Sequence, residues 1–129
     1  MVKKIMVIAP TEDIYLELSN KSKPVNYQVF WAQNAQETRA MLLSNHIRYV
    51  LIAVDMLPFW QELLPKIRSI QKKIQIIGIS KNLDPSRKTR LISMGLNDVV
   101  GTSITIPVLL SILEYNMTVS GNLLESGFN

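Results

Sequence analysis

The chain contains no cysteine and a single histidine, His46. A disulfide, a thiolate metal site and a cysteine nucleophile are excluded, and histidines cannot cluster around a metal within one chain. No apolar run approaches the ~18 residues of a membrane-spanning helix. The amino-terminal MVKKIMVIAP sets two lysines before an apolar run. That run is short, stops at Pro10 and lacks a small-residue cleavage site, so it is expected to be a first strand and not a leader. Neither G-x-x-x-x-G-K-[ST] nor G-x-G-x-x-G after the first strand occurs, and G-x-S-x-G is missing as well. P-loop, dinucleotide-fingerprint and nucleophile-elbow chemistry are thereby set aside. The expected setting is the cytoplasm, with no membrane contact.

What is present fits one domain. The chain has 129 residues, of which 47% are hydrophobic, enough for a core. The formal net charge is +4. The charge is unevenly spread: eight basic residues lie between Lys66 and Arg90 against the single acid Asp84. These basic residues are read as solvated faces of two helices. No aromatics interleave with them, so no stacking platform for single strands is offered, and direct nucleic-acid binding is not expected.

The chain is organised around residues 49–54, YVLIAV, a continuous apolar run ending at Asp55. It is too short for a buried helix and rich in β-branched residues, the pattern of a strand covered on both faces of a parallel sheet. Strands are also expected at 4–9, 27–32, 73–80 and 98–102. The first helix is expected to follow a Thr11 cap, with Glu12 and Asp13 in its first turn. Asn34 and Glu37 form a capping-box variant ahead of a second helix that directs Ala40, Met41 and Leu43 inward and ends at Asn45 or His46. A third helix occupies 60–70 with Leu63, Leu64, Ile67 and Ile70 on one face, and Pro65 points to an effective start near Leu63 or Leu64. Asp84-Pro85 opens a fourth helix, Gly95 caps it, and 106–115 form a fifth. Five strands alternating with five helices predict an α/β, flavodoxin-like doubly wound sheet of five parallel strands in the order 2-1-3-4-5. The domain is expected over 1–117. Residues 118–129 lose periodicity and read as a linker or frayed tail.

In that order of elements, the segment 91–100, LISMGLNDVV, resembles the receiver domain of response regulators, with Gly95 and Asp98 in register. The resemblance covers the first 117 residues or so. It implies a bacterial two-component signalling module, a flavodoxin-like fold, and a phosphoryl site built from five parts. Two acids after the first strand hold Mg²⁺, a hard cation that takes oxygen ligands. An Asp ending the central strand is the nucleophile. A Ser or Thr ends the fourth strand, a Lys ends the fifth and neutralises the phosphoryl charge, and an aromatic precedes that Lys.

Mapped residue by residue, the acid pair falls on Ala9 and Pro10, the Lys on Thr102, the proline after it on Ser103, and the aromatic on Val99. Ser80 keeps the Ser/Thr position. Asp55 is the candidate phosphoacceptor, but matching Pro58 to the family's proline would put Val54 there; a one-residue deletion in the loop restores Asp55, and both alignments are open. The resemblance is therefore to an atypical member, a pseudo-receiver that is not an enzyme and holds no cofactor. The alternative is a phosphorylatable receiver using Asp55 with Mg²⁺ held by displaced Glu12 or Asp13. A third class is a flavodoxin-like small-molecule binder, although the loop APTED lacks a flavodoxin phosphate cradle. The resemblance further implies an interaction surface on helix 4, strand 5 and helix 5, including Arg87, Lys88, Arg90, Leu91, Met94 and Val99, for a homodimer or protein partner. It also implies an effector domain after the receiver, which makes this the N-terminal module of a larger regulator. Leu57, Phe59 and Trp60 are expected as an apolar rim beside Asp55 that seals the site or docks a partner.

Overall fold

The structure, a computed structural model, describes residues 2–21 and 27–115. The expected tail at 118–129 lies outside the described residues. In chain order the elements are β1 Lys3–Ile8, α1 Asp13–Lys21, β2 Tyr27–Ala32, α2 Ala35–Ser44, β3 Tyr49–Ala53, α3 Trp60–Ile70, β4 Gln75–Ser80, α4 Pro85–Ser93 and β5 Asp98–Gly101. Residues 106–115 form α5. The sheet order is β2-β1-β3-β4-β5 and every ladder is parallel, as the alternation of strands and helices predicts.

β3 lies in the middle and is buried throughout, which is why its sequence shows no alternation. Its side chains still alternate between faces. Val50 and Ile52, with Met6, Ile8 and Ile76, face Leu42 of α2, Leu63, Leu64 and Ile67 of α3, and Leu91 of α4. Tyr49, Leu51 and Ala53, with Ile5, Val7, Ile77 and Ile79, face Leu18 of α1 and Ile106, Leu109 and Leu113 of α5. All strands run toward one edge, and the β3 and β4 ends meet there.

Local signals explain most of the helix starts. Asn34 Oδ1 accepts from the Glu37 amide at 2.9 Å, and Glu37 reaches back to the Gln33 amide at 3.3 Å. Asp84 accepts from the Arg87 amide at 2.7 Å, with Pro85 as the first residue of α4. The first helix starts one step later than expected. The Leu16 amide bonds to the Glu12 carbonyl, so Glu12 stands at the cap and Thr11 instead hydrogen-bonds the Asp13 carboxylate.

Two helix readings and two strand bounds are corrected. The inward face of α2 is Thr38 and Leu42, with Met41 half-buried, while Ala40 and Leu43 face solvent. Thr38 is tolerated inside because its hydroxyl donates to the Asn34 carbonyl at 2.8 Å. α3 runs from Trp60, with Pro65 inside it. Its start is tightened by bonds from Trp60 to Leu57 and from Glu62 to Phe59, and the buried Trp60, Leu63, Leu64 and Ile67 offset the hydrogen bond that proline cannot donate. β4 begins at Gln75, two residues later than expected, and β5 ends at Gly101, one residue earlier.

Candidate functional site

The carboxyl edge of the parallel sheet is where folds of this kind place their sites. The Val54 amide still bonds to the Ile79 carbonyl at 3.2 Å, so Val54 follows β4, and its side chain enters the core. The chain then turns, and Asp55 emerges over the end of β4. Its side chain keeps 26% of its surface open.

Ser80, the last residue of β4, is fully buried. Its hydroxyl lies 2.9 Å and 3.1 Å from the two Asp55 carboxylate oxygens. The Lys81 amide donates to Asp55 Oδ2 at 2.5 Å. From the first turn of α4, Arg87 Nη2 donates to Asp55 Oδ1 at 2.6 Å while its Nε donates to the Ser80 hydroxyl at 3.2 Å. Partial burial pushes the Asp55 carboxyl up, but the Lys81 amide, the Ser80 hydroxyl and the Arg87 guanidinium outweigh it and hold the group below the ordinary aspartate value. The result is a hydrogen-bonded, charge-neutralised carboxylate.

Of the residues singled out in the sequence, the structure joins Asp55, Ser80 and Arg87. It leaves the others apart. Ala9 is fully buried, its amide bonded to the Ala32 carbonyl and its carbonyl to the Trp31 indole. Pro10 is exposed and carries no metal-binding atom on its side chain. Glu12 and Asp13 are exposed at the start of α1 and are not among the partners of Asp55. Thr102 is exposed and reaches the site only through its amide, which donates to the Ser80 carbonyl at 3.2 Å.

The expected interaction surface is corrected at three positions. Leu91 and Val99, 4% and 1% exposed, belong to the core beneath α4. Arg87 turns to Asp55 instead of outward, because the carboxylate and Ser80 give its guanidinium two acceptors. Arg90 and Met94 remain exposed, joined by Ile92. The expected apolar rim is corrected too. Leu57 and Trp60 are core residues, and Phe59 with Met56 is what reaches solvent there.

Sequence reading did not pair Arg87 with Asp55. A signal for it exists: Arg87 is three residues beyond the Asp84 cap, and the first turn of a helix following a parallel strand starts at the same sheet edge as the ends of the strands.

At the opposite edge, Glu114 accepts from Lys3 at 2.5 Å and from the Tyr27 hydroxyl. Burial pushes the Glu114 carboxyl up, and these two donors more than reverse it, leaving it below the ordinary value. Burial, reinforced by Glu114, pushes the Tyr27 phenol upward, and burial pushes the Tyr49 phenol up to about 12. Asp55 and Glu114 therefore share a sign. A carboxyl depressed in the folded state stabilises the fold above its unfolded value, and that contribution is lost as pH falls through the folded value. Stability should decline between about pH 5 and pH 2, and Asp55→Asn combined with Glu114→Gln should flatten the decline in urea titrations run across that range. An unchanged slope would mean that neither carboxylate is preferentially stabilised by folding.

No family profile matches the chain, and no curated protein matches it. Solved structures do. A response regulator from Thermotoga maritima is 19% identical, with a TM-score of 0.80 over 92% of this chain and 99% of its own. The chemotaxis response regulator CheY4 of Vibrio cholerae is 18% identical, with a TM-score of 0.76 over 90% of this chain and 99% of its own. NtrX from Brucella abortus is 17% identical, with a TM-score of 0.81, and aligns over 98% of this chain but 29% of its own. The chain therefore has the fold of these response-regulator structures.

Proposed function

We propose that this chain is a pseudo-receiver, a signalling domain that acts by binding protein and does not transfer phosphoryl groups. The observation that carries this reading is the Asp55 carboxylate, both oxygens of which already accept from donors of the same chain. A nucleophilic Asp must present an oxygen to phosphorus, and here that would disturb the Arg87 pair on Oδ1 or the hydrogen bond from the Lys81 amide on Oδ2. The donor set around it also fails to suit Mg²⁺. Ala9 and Pro10 offer no side-chain oxygen where the receiver resemblance implies two acids, and a hard dication needs several. The first-strand end thus supplies nothing to balance a phosphoryl group's charge, nor does Thr102 in place of a lysine.

Protein binding would use the exposed part of α4 and its neighbours, for a homodimer or a different partner. The domain would serve as the regulatory module of a larger cytoplasmic regulator, a reading supported by NtrX, whose chain is much longer than the aligned part.

One observation favours the rival, a phosphorylatable receiver: the Ser80 hydroxyl stands against Asp55, as the resemblance implies for an active site. Acetyl phosphate with Mg²⁺, followed by intact-mass measurement, separates the two. No phosphoryl adduct is expected on the wild type. A magnesium-dependent adduct that disappears in Asp55→Asn would establish the rival.

A further inference from the structure

α4 is weakly held by apolar packing. Of its nine residues Leu91 is the buried one, whereas α3 buries Trp60, Leu63, Leu64 and Ile67. Apolar burial is the main force that fixes a helix against a sheet. With Leu91 near the end of α4 and the half-buried Leu83 ahead of its cap as the apolar anchors, the first turn itself leans on polar contacts. Those contacts run to Asp55 and Ser80 through Arg87. A second side-chain pair among the described residues, Lys88 to Asp98 at 3.6 Å, is long and its lysine is half-exposed, the class of ion pair that contributes little.

We propose that Arg87 is a positioning residue that tethers the first turn of α4 to the β3 and β4 ends, supplying from within the chain the positive charge that the end of β5 lacks at Thr102. The guanidinium suits the task. Its Nη2 and Nε meet two different acceptors, so the pair sets orientation as well as distance. Asp55, bonded also to the Lys81 amide, is the fixed post, and Arg87 is the arm. The exposed Arg90 and Ile92, which flank Leu91 on either side of α4, and Met94 at its carboxyl cap are then presented in one arrangement without any covalent change at Asp55. This inference rests on reading Asp55 as a structural carboxylate.

Hydrogen exchange on the full chain tests it. Arg87→Ala should speed exchange of the amides at 87–94 by at least ~5-fold, a modest factor because the pair is partly open to solvent. Amides of β1 and β3 should be unaffected. Asp55→Asn should act in the same direction. The double variant should fall short of the sum of the two single effects, since both changes remove the shared Arg87–Asp55 pair. Arg87→Lys, which keeps the charge and loses the fork, should restore part of the protection. A carboxyl-carbon NMR titration gives a readout that general loosening of the helix would not mimic. The Asp55 midpoint should rise in Arg87→Ala and return partway in Arg87→Lys. Wild-type exchange in Arg87→Ala, additive effects in the double variant, or an unmoved Asp55 midpoint would each overturn the tether. Failure of the two readings is distinguishable. A phosphoryl adduct on Asp55 would overturn the pseudo-receiver reading, while unchanged exchange in Arg87→Ala would overturn the tether and leave that reading standing.

Discussion

Trp60→Ala is expected to remove about 3–5 kcal/mol of folding free energy, the usual cost of deleting a large aromatic from a core. Trp60 is the first residue of α3, at 9% exposure, in the same cluster as Leu57, Leu63, Leu64 and Leu91. It joins the start of the helix to the turn that follows β3, because its amide bonds to the Leu57 carbonyl while its ring covers the core. Truncation would leave a void that the rigid sheet below cannot close, so the loss of transfer free energy and of packing add. Urea unfolding followed by far-ultraviolet circular dichroism measures the difference. A cost below ~1 kcal/mol is what a surface residue would show, and it would return Trp60 to the apolar rim that the sequence suggests.

Gly78→Val should destabilise by about 1–3 kcal/mol through overpacking. Gly78 lies in the middle of β4, paired with Ile52 on one side and Val99 on the other. A Cβ placed there would come within 2.8 Å of Leu96 Cδ1, 3.4 Å of Val54 Cγ1 and 3.6 Å of Val99 Cγ2. Leu96, Val54 and Val99 are themselves buried, so Leu96 has little room into which to rotate. The usual gain from replacing glycine in a strand is no more than ~1 kcal/mol and does not offset the forced shift of buried Leu96, with Val54 and Val99 already in contact around the added methyls. Gly78→Ala brings the same Leu96 contact without valine's added methyls and should cost less. If the valine variant unfolds at the wild-type urea midpoint, the space above Gly78 is larger than these distances imply.

Much of this protein was legible in its sequence because the signals are local. The run at 49–54 announces a strand covered on both faces, since only such a strand can dispense with polar alternation. Asn34 and Asp84 announce helix starts because a cap bonds amides two or three residues on. The strand–helix alternation, with right-handed crossovers, leads to the observed order. Asp55 and Ser80 were legible as neighbours of one edge, since both end apolar runs of parallel strands.

Only the tertiary structure decided how the helices are rotated and what Asp55 meets. A short, mixed helix such as α2 has two candidate inward faces, and packing against β2 and α3 selects Thr38 and Leu42 over Ala40 and Leu43. The same dependence takes Leu91, Val99 and Trp60 into the core. The pairing of Arg87 with Asp55 spans 32 residues and two elements. A charge finds its partner according to where packing brings the backbones, and no periodicity or cap within either segment encodes that distance. The fold class thus follows from local chemistry in the sequence, whereas the state of the Asp55 carboxylate arises where β3, β4 and α4 come together.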